Sequence, residues 1–380
     1  LSAEVITKLD QNGSGGSGVV VGSLISVPYG ESAPAGYSLY QRGTPKELVW
    51  EEKAPVSVAR SGKSVILDGQ IYFVGGRSSV GVYHREAERY NPLANTWETL
   101  PSMASKRMSL ALSILGTKIY AVGGKNEGSD PGLISTEIYD PASNQWSGGI
   151  NLPNPVFSAQ ALNFANSIFL FGGKNENIAN IYVNSVLHLS LNGTVWVEKT
   201  QRSSGGSTRV FIHENKIWTS NLNTIEIYEP GSDIWTFGPP DLNKSNGELL
   251  SVNNQVLSFG GTDYNSRTDK IKKFDFAKNI WLEIGSLPEP MDGMAVEILN
   301  EQIFVIGGYI TLGQNTSASS KVYSVSVTDL NASVAGIYDL YRKDGNASAG
   351  TPLVQAEVAD GSVTASKIAS KTIGKDQISD

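Results

Sequence analysis

The chain contains no cysteine. Disulfides, thiolate metal sites and cysteine nucleophiles are therefore excluded. Charge is scarce, at 18% of 380 residues, and the net charge is −7. A nucleic-acid binder normally shows a basic face, so that class is disfavoured. No apolar run approaches the roughly 18 residues that span a bilayer, and no membrane span is expected. The chain opens at Leu1 rather than Met. It reads as a mature form or an excised piece, so the missing leader says little about compartment.

What is present is glycine, 40 of 380 residues, above the roughly 7% of ordinary proteins. Hydrophobic residues make up 40%, enough for a sizeable core. Tryptophan sets a repeat: Trp50, Trp97, Trp146, Trp196, Trp235 and Trp281 are spaced by 47, 49, 50, 39 and 46 residues. Glycine pairs set a second register at Gly75-Gly76, Gly123-Gly124, Gly172-Gly173, Gly260-Gly261 and Gly307-Gly308. Each pair follows a grid tryptophan by 25 or 26 residues, which places a degenerate copy at Asn221-Leu222. Asn is the ordinary residue most tolerant of positive φ. An aromatic stands seven residues before a tryptophan at Tyr90, Tyr139, Tyr228 and Phe274, and His188 stands eight before Trp196. Seven residues before each glycine pair lies a two-residue turn signal between short apolar runs, as at Asp68-Gly69. That pattern is a β-hairpin.

Each unit thus reads as four short strands: hairpin, glycine pair, variable loop, strand ending in an aromatic, turn, strand carrying tryptophan. One such sheet cannot bury both faces, but six packed radially can. The glycine pair, the Tyr-Asp-Pro turn and the tryptophan resemble the kelch repeat over about residues 46–328. The resemblance implies an all-β, six-bladed propeller of four-stranded antiparallel blades. Trp50 has no hairpin of its own, and the last copy has Gly307-Gly308 and Tyr323 but no tryptophan after it. The strand 48–52 is therefore expected to complete the last blade, which removes a free edge.

The flanks differ. Residues 1–18 read as a helical fragment and a Gly/Ser linker, and 19–45 as a short β segment. The string from Gly22 to Tyr37 is similar to phage tail-collar domains. The propeller is expected over 46–330 and a connector over 331–352. In 353–380, Val358, Val363, Ile368, Ile373 and Ile378 recur every five residues, a period matching neither helix nor strand. That tail reads either as a stalk, with trimerisation through it, or as disordered.

The kelch resemblance raises two enzyme classes. Copper radical oxidases need a Cys-crosslinked Tyr and His ligands. Cysteine is absent, and His84, His188 and His213 do not converge in this register, so neither metal nor cofactor is expected. A Ser/His/acid hydrolase lacks a base beside a nucleophile. Arg60 and Arg107 begin their blades and are expected near the axis, with Phe157, Arg209, Asn246 and Asp292 at matching places. An Arg pair there could bind a carboxylate, or could pair internally with carbonyls or an acid. The loops after the glycine pairs offer Arg77, Lys125, Asn126, Lys174, Asn175, Asp263, Tyr264, Arg267 and Tyr309. Binding residues usually ride on such loops. The expected function is a non-catalytic module that binds a protein or glycan on a bacterial extracellular or cell-surface protein. The alternatives are a sialate-mutarotase-like sugar-acid isomerase at the central mouth and a structural spacer in a fibre.

Overall fold

The computed structural model describes residues 24–28, 37–41, 47–336 and 338–343, apart from 80, 128–131, 178–181, 204, 206–208, 221–223, 240–246, 264–265, 277–278 and 313–314. The chain divides into two units, residues 47–332 and residues 1–46 with 333–380. Several sequence expectations lie outside the described residues: the N-terminal helical fragment and linker, the degenerate pair Asn221-Leu222, Asn246, Tyr264 and the five-residue-period tail.

The larger unit is built on six four-stranded antiparallel sheets, with one two-stranded and one three-stranded sheet in its loops. Blade 1 is Ser61–Leu67, Gln70–Arg77, Tyr83–Asn91 and Thr96–Leu100; blade 2 is Ala111–Leu115, Lys118–Val122, Thr136–Asp140 and Gln145–Gly148. Blade 3 is Gln160–Phe164, Ser167–Phe171, Val186–Ser190 and Val197–Lys199; blade 4 is Arg209–His213, Lys216–Ser220, Ile225–Glu229 and Ile234–Phe237. Blade 5 is Glu248–Val252, Gln255–Phe259, Lys270–Asp275 and Ile280–Ser286. Blade 6 is Ala295–Leu299, Gln302–Ile306, Val322–Ser326 and, from the start of the chain, Glu51–Lys53. The inner strands touch in the order 1-2-3-4-5-6 and back to 1, so the blades close a ring.

Local chemistry sets this shape. The inner hairpins turn on two residues that both take positive φ in most blades, as at Ala165 (49°) and Asn166 (56°). Such turns match the right-handed twist of the strands they join. Gly76 has φ of 109°, and a Cβ there would lie 2.0 Å from the Ser61 carbonyl oxygen, so only glycine fits. Between blades the indoles act as staples. Trp97 Nε1 donates to Ala54 O (2.8 Å), Trp146 to Pro101 O (2.7 Å), Trp196 to Ile150 O (3.1 Å) and Trp235 to Thr200 O (2.8 Å). Each acceptor lies on the segment that leads out of the preceding outer strand. Trp50 does the same to Ser286 O at the closing seam (2.9 Å).

The register refines two assignments. In blade 3 the residue opposite Ile168 is Leu189, the place Tyr90 takes opposite Ile71 in blade 1. His188 is its neighbour and does not fill the aromatic slot. In blade 6 the same place belongs to Val325, opposite Ile303, and Tyr323 stands two residues earlier. The smaller unit is a three-stranded antiparallel sheet in which Tyr338–Lys343 runs between Leu24–Pro28 and Tyr37–Gln41. The 331–352 stretch, read as a connector, thus contains a strand and the end of the helix Val327–Gly336. Ser326 Oγ caps that helix, accepting from Thr328 N at 3.0 Å.

Candidate functional site

Strand order puts the glycine-pair loops and the blade-to-blade connections on one face of the ring. The arginines expected at its mouth are buried there instead. Arg60 and Arg107 are both 0% exposed, and Arg202 is 2% exposed. Arg60 Nη1 pairs with Glu88 at 2.8 Å and its Nε donates to Gly75 O at 3.0 Å. Arg107 Nη2 pairs with Glu137 at 3.0 Å and its Nη1 donates to Gly123 O at 2.6 Å. Arg202 Nη2 pairs with Glu226 at 3.1 Å, so blade 4 uses Arg202 where the sequence reading had placed Arg209. Each glutamate also accepts a backbone N–H from the connection, as Glu137 does from Ala104 at 2.6 Å. Desolvation pulls the three guanidinium groups down and the glutamates oppose it. Arg60 and Arg107 hold the first glycine of their blades and the connection together, and all three arginines are buried away from any ligand. The signal was legible as Glu-x-Tyr, at Glu88, Glu137 and Glu226.

The loop residues gather in two groups. Around blades 5, 6 and 1, Arg267 Nε donates to Asp292 Oδ1 (2.7 Å), and its Nη1 donates to Thr311 and Thr316 Oγ1 (3.1 and 3.2 Å). Those threonines face each other across the hairpin Tyr309–Leu312/Asn315–Ala318. Tyr309 Oη donates to the Arg77 carbonyl at 3.1 Å, and Arg77 stands opposite Tyr83 in its own hairpin. Arg77 itself is exposed. Burial pushes the Tyr309 phenol up, Arg77 and Arg267 pull it down, and Asp292 pushes it up again. Asp263 lies in the short hairpin that carries Arg267.

Around blades 2 and 3, Lys125 Nζ meets Glu176 at 2.8 Å and sits 5.1 Å from the centre of the Phe157 ring. Lys106 pairs with Glu127 at 2.7 Å, and Lys174 Nζ lies 5.1 Å from the Tyr182 ring centre. Asn126 is partly buried, and Asn175 is buried with its Oδ1 accepting from Asn177 N at 2.9 Å. The loops are thus cross-braced from blade to blade and form a preorganised surface.

Below this face lies a polar cluster that the sequence reading did not single out. Lys63 Nζ of blade 1 donates to Gln160 Oε1 of blade 3 at 3.2 Å and lies 3.9 Å from Glu248 Oε1 of blade 5. Contacts between alternate blades pass through the centre of the ring. Ser64 Oγ donates to Glu297 Oε1 of blade 6 at 2.7 Å. Lys63, Gln160, Arg209 and Glu248 all stand five residues before their inner turns. That coincidence was readable once the repeats were aligned.

The histidines stay apart. His84 contacts Glu86 and His213 contacts Ser251, both at 3.0 Å, while His188 faces Phe169 with ring centres 4.7 Å apart. Among the described residues no group of three or more His, Asp or Glu could hold a metal ion. No helix among them is long and apolar enough to cross a membrane. A shallow groove of about 660 Å³ runs along the rim, where Met103 and Ala104 pass Trp146.

The kelch motif family model matches residues 61–104 and 106–149, which are blades 1 and 2 with their connecting segments. Kelch-like protein 15 of Homo sapiens is 25% identical over 283 residues, covering 65% of this chain and 46% of that protein. Kelch-like protein 25 of Xenopus tropicalis is 27% identical over 203 residues, covering 49% of this chain and 34% of that protein. The chain therefore spans less than half the length of these relatives. The solved structure of YjhT superposes with a TM-score of 0.61 at 15% identity, covering 71% of this chain and 95% of that one. With two of its repeats matched by the kelch motif and its six four-stranded blades closed into a ring, the chain is a β-propeller of the kelch-repeat type.

Proposed function

We propose that this propeller is a non-catalytic binding module that recognises a partner protein through the loops of blades 5, 6 and 1. The observation that carries the reading is the bracing of three loops: Arg267 bonds Asp292, Tyr309 stands opposite Asp292 and donates to the Arg77 carbonyl, and the Arg77 side chain is left exposed beside them. Arg and Tyr dominate the energetics of protein interfaces, and a preorganised surface loses less entropy on binding. The similarity to kelch-like proteins supports a protein-interaction role. A glycan partner and an extracellular or cell-surface setting, suggested by the fibre-like flanks, belong to the same proposal. The isomerase alternative leaned on Arg60 and Arg107 as carboxylate ligands, and both are committed to internal glutamates.

A displayed peptide library and a broad glycan array, probed with the full chain, test the reading. Ligands recovered should lose at least about tenfold in affinity for Arg77→Ala, the cost of one exposed interface contact. They should bind Lys174→Ala, on blade 3, as they bind the parent. Ligands indifferent to Arg77→Ala, or none from either library, would overturn it.

A further inference from the structure

We propose that the groove on the rim of blade 2 is a second binding site, one that takes an extended acidic peptide as a further strand of that blade. It shares no residue with the braced loops of blades 5, 6 and 1, and the two surfaces can be tested apart. Three features meet there: a sheet edge with free backbone groups, a groove along that edge and an unpaired arginine in its wall.

Gln145–Gly148 is the outermost strand of its sheet. Gly149 N donates to Thr136 O at 2.8 Å, and the ladder continues with Ser147 opposite Ile138 and Gln145 opposite Asp140. Antiparallel pairs alternate between bonded and non-bonded. Ser147 and Gln145 therefore bond inward, while Trp146 and Gly148 turn their N–H and C=O groups out of the sheet. Charged side chains commonly protect such an edge from pairing with another chain. The outer strands of blades 1, 3, 5 and 6 carry Glu98, Glu198, Glu283 and Glu51. The outer strand of blade 2 carries no charge. Blade 4 has none in Ile234–Phe237 either, but blade 2 adds the groove and its cation.

The groove, about 660 Å³, is of the size of ordinary ligand sites, roughly 300–1,000 Å³. One wall is the edge strand, and the other is the connection at residues 101–104 with Arg85. Pro101, Ala104 and the Trp146 ring give it apolar surface. Two charged side chains line it. Glu137 is spent on Arg107 and on the N–H groups of Ala104 and Ser105. Arg85 is exposed, and its guanidinium has no partner among the described residues. Glu86, next along the strand, is held by the His84 ring and the Arg85 N–H. A peptide lying here meets backbone groups at strand spacing and one unanswered positive charge. Its own backbone pairs with the first, and an Asp or Glu side chain pairs with the second. In strand addition the main chain supplies affinity and the side chains supply specificity.

The test pans a displayed library of linear peptides on the full chain carrying Arg77→Ala, which takes the loop face out of the selection. Clones recovered should bind the parent equally well and lose at least about tenfold in affinity for Gly148→Pro, which removes an outward N–H. An added Cβ at Gly148 would meet nothing within 4 Å, and the sheet makes no use of that N–H, so proline is tolerated at this edge and the melting temperature should match the parent's. The clones should share an Asp or Glu. Its replacement by Ala should weaken binding to the parent about threefold and leave binding to Arg85→Ala unchanged, as one exposed ion pair requires. Bound peptide should slow hydrogen exchange at the Trp146 and Gly148 amides. No clone, clones that bind folded Gly148→Pro as they bind the parent, or clones indifferent to Arg85→Ala would overturn the site. If Gly148→Pro does not fold, Arg85→Ala and the exchange of those two amides decide. Failure here leaves the loop face standing, because its ligands are lost with Arg77→Ala and not with Gly148→Pro.

Discussion

At the scale of single residues, the costliest side chains to lose are the ones the eye first assigns to binding. Arg107 spends its donors on Glu137, Gly123 O, Ser135 O and Ser135 Oγ, all at 3.2 Å or less. Replacing it with Met keeps much of the volume but leaves the Glu137 carboxylate, 7% exposed, without its cation. Removing one partner of a buried pair typically costs about 3–5 kcal/mol. Arg107→Met should therefore show that loss in urea denaturation, whereas Arg77→Ala, on the exposed loop, should change stability by less than about 0.5 kcal/mol. Near-equal losses in the two variants would mean the buried pair does not anchor the connection. A second residue works the other way. Ala165 holds φ of 49° in a tight turn, a conformation that strains any residue with a Cβ. Ala165→Gly should stabilise the chain by about 0.5 kcal/mol, the relief of strain being partly offset by glycine's freedom when unfolded.

At the scale of the element, one blade repeats a small circuit. A third-strand tyrosine donates to an Asx five residues on: Tyr90 to Asn95 at 2.8 Å, Tyr139 to Asn144 at 2.6 Å, Tyr228 to Asp233 at 2.5 Å. That Asx has positive φ, 51° to 58° in these blades, and opens the turn into the tryptophan strand. The tryptophan then bonds back to the previous connection. Trp146→Phe keeps a tilted ring contact with Tyr139, whose ring centre lies 5.3 Å away, and deletes the bond to Pro101 O. The expected cost is about 1 kcal/mol, read from chemical denaturation. A null result would mean the indole N–H finds water equally well.

This circuit is why so much of the fold was legible: tryptophan, glycine pair and aromatic each do one geometric job at one place, so spacing reports structure. Legibility failed where a copy swaps chemistry. Blade 3 puts Leu189 where tyrosine is expected, and an adjacent histidine took the assignment. Blade 6 puts Val325 there and shifts its tyrosine to the position of the glutamate, where Tyr323 Oη donates to Glu289 at 2.8 Å. The candidate site was half legible. Loop residues could be named from their place after the glycine pairs. Which of them meet depends on which blades adjoin, and the central cluster depends on contacts across more than 90 residues, as from Lys63 to Gln160.

At the scale of the whole molecule, the ring depends on its seam. Blade 6 gains its outer strand from Glu51–Lys53, which pairs with only Val322, Tyr323 and Ser324. Three residues of ladder are few, and the segment before them does more. Leu48 is 9% exposed and packs against Gly285, where even an added Cβ would come within 2.8 Å of it. Trp50 bonds Ser286 O on blade 5. The seam therefore ties the start of the chain to blades 5 and 6 together, and it closes a loop of nearly the whole ring, whose entropy cost rises only slowly with length. Leu48→Ala should cost about 2–5 kcal/mol although it lies outside every complete blade. Hydrogen exchange should then show where the loss falls. Amides of Val322–Ser326 should open first, while those of Ser167–Phe171 on the opposite side keep most of their protection, because opening at the seam leaves that sheet and its neighbours paired. Uniform loss of protection around the ring would instead mean that the propeller unfolds as one unit and that no seam exists in the energetic sense.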